Sequence, residues 1–250
     1  YLVSVTGMTG SGTVIPTIPA NSAVDASNNG NTASISNDNS VTYDITDPTV
    51  TINQAASQDD PTNLSPILFD ATFSESVTGL TGSDISFAGS TAPGTLVAAI
   101  SGSGTSYQVS VSGMTGSGSV VISLPADSVV DQAGNGNEAS TNPDNSVEYD
   151  VTAPTVTINQ GSTQSDPANS SPILFDVTFS EPVTGFTGSD VDLSSSTAPG
   201  TLSAAVSGSG ASYQVSVSGM TDTGLLIASV PADSVVDAAN NNNEASTSTD

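Results

Sequence analysis

Carboxylates are the side chains that carry charge in this 250-residue chain: twenty Asp and five Glu stand against no Lys, Arg or His, for a formal charge of −25, and there is no cysteine. Without His, Cys or Lys there is no triad, thiolate or Schiff-base chemistry, and a serine without a base is a strand residue. A carboxylate pair can hydrolyse a glycoside. The chain has no Trp to stack a sugar, however, and its acids recur in tandem, so it is not expected to be an enzyme. With no side-chain cation to pair with, clustered acids must be solvated, hydrogen-bonded to backbone, or bound to a metal. Calcium, which takes about six to eight hard oxygen ligands, is the cofactor that such clusters suit.

The acids recur at a fixed spacing because the whole chain does. Thr49 to Glu75, TVTINQAASQDDPTNLSPILFDATFSE, returns at Thr155 to Glu181 as TVTINQGSTQSDPANSSPILFDVTFSE, an offset of 106 residues. Residues 49–144 match 155–250 at 67 of 96 positions without a gap, and the same offset carries Asp44 onto Asp150. A period this long is one domain per repeat rather than a solenoid rung. The expected organisation is the closing strands of one repeat at 1–46, a complete repeat at 47–152, and a repeat lacking its last strand at 153–250. A unit of roughly 100 residues can bury a core without disulfides.

Period-two runs between Gly, Ser, Pro, Asn and Asp clusters predict an all-β chain. In the complete repeat seven strands are expected, at 49–53, 66–73, 84–88, 95–100, 106–112, 118–124 and 146–151. Ile67, Phe69, Ala71 and Phe73 alternate with Leu68, Asp70 and Thr72, so one face is core and the other wet. Seven short strands with such patterning predict tandem immunoglobulin-like β-sandwich domains. Pro125 to Ala139 is too long for a hairpin, and a short helical turn is expected at ADSVVD. Residues 1–43 should supply three strands of their own repeat.

That strand order sorts the loops between two poles. The incoming linker, the loop after the second strand and the loop after the sixth share one pole. It should gather Asp44, Glu75, Asp84 and Asp131 at the first junction, and Asp150, Glu181, Asp190 and Asp237 at the second. These eight are the candidate metal ligands. Asp47, Asp127, Asn135, Asn137 and Glu138 fall at the same pole, and Asp59 or Asp60 of the preceding repeat can add to the second site. The junctions differ: Asp47 becomes Ala153, Ser86 becomes Asp192, and Gly134 and Gly136 become Asn240 and Asn242. Loop Asp and Asn also cap turns through their own backbone. Asp38, Asp60, Asp144, Asp166 and Asp250 read as turn formers, and Asp70 and Asp176 as solvated residues on an outer sheet face.

FSExVTG, the SGMTGSG turn, PADSVVDxAGNxNEAS and the YDVTAP linker together resemble the bacterial immunoglobulin-like repeats of very large secreted adhesins and biofilm-associated proteins. The resemblance spans the chain. It implies an extracellular, cell-surface strut that holds a binding domain away from the cell, with calcium at the junctions. The expected partners are neighbouring repeats of the same chain. Other copies of the chain, joined by strand addition or by lateral packing in a filament, are the alternative, and a carbohydrate- or protein-binding module is a third. Leu225 and Ile227, which point outward, mark either ordinary surface variation or a lateral contact. Nothing in the chain can neutralise phosphates, so nucleic acid is not an expected partner. No run approaches the ~18 apolar residues of a membrane span, and no membrane insertion is expected.

Overall fold

The computed structural model describes residues 1–248. It is built from twelve strands: β1 (Gly12–Val14), β2 (Val41–Tyr43), β3 (Val50–Gln54), β4 (Ile67–Val77), β5 (Gly94–Met114), β6 (Gly118–Val121), β7 (Thr141–Asp144), β8 (Ser146–Tyr149), β9 (Val156–Gln160), β10 (Ile173–Phe179), β11 (Gly200–Ser209) and β12 (Ser212–Met220). The only helical pieces among the described residues are two single 3₁₀ turns, Gly82–Asp84 and Gly188–Asp190. In the central repeat the sheet β5-β4-β3-β7 faces the pair β6-β8, and the last repeat repeats the larger sheet as β11-β12-β10-β9.

Alternation along β4 decides the core. Ile67, Phe69, Ala71 and Phe73 are buried, together with Ile52 of β3, Val109 and Val111 of β5, Val120 of β6 and Val147 of β8. Phe73 meets Tyr107 edge-to-face at a centroid distance of 5.7 Å. This is the favoured aromatic geometry, and a buried tyrosine needs a partner for its hydroxyl. The Tyr107 hydroxyl donates to the Val77 carbonyl at 2.9 Å, and Tyr213 repeats the contact to Val183 at 3.1 Å. Each tyrosine thereby fixes the end of the segment that carries Glu75 or Glu181.

Several local expectations are corrected. The third strand is replaced by the 3₁₀ turn and one bridge, Ser86 to Ser123, because Thr81 and Asp84 close a cap on each other. The fourth and fifth strands run together as β5, whose counterparts β11 and β12 form an explicit antiparallel hairpin. ADSVVD is not helical: Asp127 takes a left-handed turn at φ 58°, and Val130 bridges Thr78. Asp144 lies in β7, which pairs in parallel with β3, rather than in a turn. Asp176 is not merely solvated, since its carboxylate accepts the Ser162 N–H and the Gln214 amide. Of Gly134 and Gly136, only Gly134 has a positive φ, and Asn240 supplies the same conformation in the next repeat. Asp250 lies outside the described residues.

In the leading segment Tyr1, Leu2, Val3 and Val5 are exposed and lie outside the described strands, while β1 pairs with β2 and Val24 bridges Gly30. Phe175, the counterpart of the fully buried Phe69, is only half-buried, and with Leu226, Ala228 and the exposed Leu225 and Ile227 it lines a groove of about 910 Å³.

Candidate metal centre

Two groups of three carboxylates converge, Asp44 with Glu75 and Asp131, and Asp150 with Glu181 and Asp237. Within each group one oxygen per residue lies within 4.8 Å of the others. That spacing suits a shared calcium, whose oxygen ligands sit about 2.3–2.6 Å from the ion.

Each acid is brought there by a different part of the backbone. Asp44 belongs to the linker and is held by the repeat before the junction. Its Oδ1 accepts the Ser11 hydroxyl at 2.8 Å and the Thr46 N–H at 3.0 Å, and Ser11 also accepts the Ile45 N–H. Ser117, Asp150, Thr152 and Val151 repeat this arrangement at the second junction. Glu75 follows Ser74, whose N–H donates to the Thr49 carbonyl while its hydroxyl accepts the Thr49 N–H, so the glutamate lies beside the incoming linker. The two loops of the pole are then joined by paired backbone bonds between Thr78 and Val130, repeated between Thr184 and Val236 in one direction. Those bonds bring Asp131 and Asp237 to the glutamates.

Asp131 is buried, at 4 % exposure, and its carboxylate is already engaged. Oδ1 accepts the N–H groups of Gly134 and Asn135, and Oδ2 accepts the Asn135 side-chain amide at 2.7 Å. Burial pushes this carboxyl upward, but the Asn135 side chain and the loop N–H groups outweigh it, and the net position is below the usual range. Asp44 is also held low, by the Thr46 N–H first and then by the Ser11 hydroxyl. Glu75 behaves oppositely. Burial raises it above the usual range, and the charges of Asp44 and Asp131 push the same way. Glu181 is raised by burial, then by Asp237 and Asp150. No described residue donates a hydrogen bond to either glutamate. These two carboxylates therefore bring unshared oxygens to the cluster, and a hard cation there would relieve the repulsion that raises them.

Six of the eight expected ligands thus meet. Asp84 and Asp190 do not: each Oδ2 accepts both the N–H and the hydroxyl of the threonine three residues earlier, Thr81 or Thr187, as the cap of its 3₁₀ turn. T-x-x-D is a variant of the capping-box pattern, so the signal was present in the sequence. Asn137 is buried and fully used within its own loop, accepting from Ser128 and Val129 and donating to Pro125 and Glu138. Asp127 shapes the same turn, and Glu138 contributes its N–H to the Pro48 carbonyl. Asp60 accepts the Glu148 N–H, and Asp192 accepts the N–H and hydroxyl of Ser194, so neither enters the second cluster. Asp47 is exposed and outside the first.

Sequence reasoning placed Asn135 at the pole without a role. Its side-chain amide reaches the Asp44 main-chain carbonyl at 3.3 Å, and that of Asn241 reaches the Asp150 carbonyl at 2.9 Å. A residue missed altogether is Asn63, whose amide donates to Asn241 Oδ1 at 3.1 Å across 178 positions of sequence. An isolated loop asparagine gives no signal of so distant a contact.

Among the described residues no helix is long and apolar enough to cross a membrane. No curated protein and no solved structure matches the chain. The profile of a bacterial Ig-like domain matches it twice, over residues 44–149 and 150–250, meeting at the residue that follows Tyr149. The chain belongs to the bacterial Ig-like domain family, as a tandem of its repeats.

Proposed function

We propose that the chain is an extender segment of a large extracellular bacterial adhesin or surface protein, and that calcium at the junctions between its repeats stiffens it. One observation carries the reading: an aspartate anchored by the repeat before the junction lies within 4.8 Å of a glutamate and an aspartate of the repeat after it. An ion held by both sides resists bending about the linker. Near-identical domains in series add length, and Pro48 and Pro154, both buried, restrict the backbone where each linker enters its repeat. The eight candidates reduce to six ligands, Asp44, Glu75, Asp131, Asp150, Glu181 and Asp237. Water completes the coordination, since three carboxylates fall short of calcium's full ligand number unless they bind bidentately.

Small-angle scattering and thermal melting of the whole chain, with calcium and with chelator, test the proposal. Calcium is expected to lengthen and stiffen the particle and to raise the melting temperature. At a hundredfold excess over the dissociation constant, one site contributes about 2.7 kcal/mol. Unchanged shape and melting would mean that the acids are solvated turn residues and that the extender works without metal.

A further inference from the structure

We infer that Asn63 and Asn241 form a cation-independent latch between the central and last repeats, and that Asn63 acts as a positioning residue for the second junction. The inference rests on the calcium reading for its effect on affinity, but its geometry does not need the ion.

The latch begins with a short parallel zipper. Asp60 Oδ1 accepts the Glu148 N–H at 2.9 Å, Thr62 N–H donates to the Glu148 carbonyl at 2.9 Å, and Asp150 N–H donates to the Thr62 carbonyl at 2.8 Å. Thr62 is buried, at 4 % exposure. The loop that presents Asn63 and the linker that presents the Asp150 carbonyl are therefore one hydrogen-bonded body. Asn241 of the next repeat meets that body at both points. Its Oδ1 accepts from Asn63, and its Nδ2 donates to the Asp150 carbonyl at 2.9 Å and to Asp237 Oδ2 at 2.9 Å.

An asparagine amide has two N–H donors and one carbonyl in a fixed plane. With the carbonyl held by Asn63 and both N–H groups used, the plane of Asn241 is determined, and with it the separation of Asp237 from the linker. At the first junction Asn135 makes the equivalent bonds to Asp131 Oδ2 and to the Asp44 carbonyl. Holding acids from two repeats at a set distance before the ion arrives lowers the ordering cost of binding it.

The test is Asn63→Ala in the full chain, with Asn169→Ala as control. Asn169 is the counterpart one repeat later, exposed and without a described hydrogen-bond partner. Residue-resolved NMR titration with calcium reads the two junctions separately, and residual dipolar couplings in chelator read repeat orientation without the ion. Asn63→Ala is expected to weaken calcium about fivefold at Asp150, Glu181 and Asp237, as loss of one neutral hydrogen bond would. It should leave Asp44, Glu75 and Asp131 unchanged, and it should loosen the second junction in chelator. Asn169→Ala should do neither. Equal weakening at both junctions, or an unchanged second junction in both measurements, overturns the latch. If the parent chain binds no calcium, the calcium reading fails by itself; the couplings in chelator then decide the latch, which stands if Asn63→Ala loosens the junction and falls if it does not.

Discussion

In the junction cluster the loop aspartate is held by a ladder of hydrogen bonds and the glutamate is not, and a closely similar ladder stands at Asp25. Asp25 Oδ1 accepts the N–H groups of Ser27 and Asn29, and Oδ2 accepts the Asn29 side chain at 3.0 Å. Asp131 makes the matching set with Gly134 and Asn135. Asp131 is buried between a linker aspartate and the β4 glutamate. The aspartate–asparagine ladder is a turn device that recurs from repeat to repeat. Glu75 differs: no described residue donates to its carboxylate, and its carboxyl is raised. If an ion binds, the glutamates are the residues whose presence the turn does not explain.

Replacing the glutamates tests that distinction with the largest expected effect. Glu75→Gln with Glu181→Gln keeps the side-chain volume and removes one charge from each cluster. The calcium-dependent stabilisation, about 2.7 kcal/mol per site at hundredfold excess, should be lost, and with it the rise in melting temperature. In chelator the double variant should melt higher than the parent, because the repulsion that raised the two carboxyls is gone. A calcium response that survives both substitutions would place the ion elsewhere.

A smaller effect separates the loops themselves. Asp131→Ala leaves the Gly134 and Asn135 N–H groups without their acceptor in a partly buried turn, and donors left unsatisfied away from water are costly. Asp25→Ala exposes the same groups to water. In chelator the first variant should lower the melting temperature by about 4–8 °C and the second by a few degrees at most. Equal losses would show that the burial of Asp131 matters less than the turn both loops share.

Legibility in the sequence followed the same division between pattern and local competition. The offset of 106 residues, the alternation in β4 and the order of strands were enough to place Asp44, Glu75 and Asp131 at one pole. They were not enough for Asp84, because strand patterning at 84–88 competed with the Thr81–Asp84 cap and the cap won. Asn63 was invisible because loop asparagines are read as turn formers and its partner lies in another domain.

The smallest effect is the pH dependence, which compares the raised and lowered carboxyls in one molecule. Glu75 and Glu181 bind protons more readily in the fold than in the unfolded chain, so in chelator their protonation favours the fold. Acidifying from neutral through the region just above the usual glutamate value of 4.5 should therefore raise stability. Asp25, Asp44, Asp131, Asp176 and Asp192 are held low, and their contribution is complete above the usual 3.8 and disappears as pH falls through their lower folded values. Stability in chelator should thus pass through a maximum between the two regions. With calcium in excess the first rise should be absent, because the bound ion requires the glutamates to be ionised and acid displaces it. The melting curves with and without calcium should converge as the glutamates take up protons. In the Glu75→Gln, Glu181→Gln variant the acid rise should vanish while the loss at lower pH remains. A parent chain that loses stability steadily from neutral pH downward in chelator would show that the glutamates are under no strain in the fold.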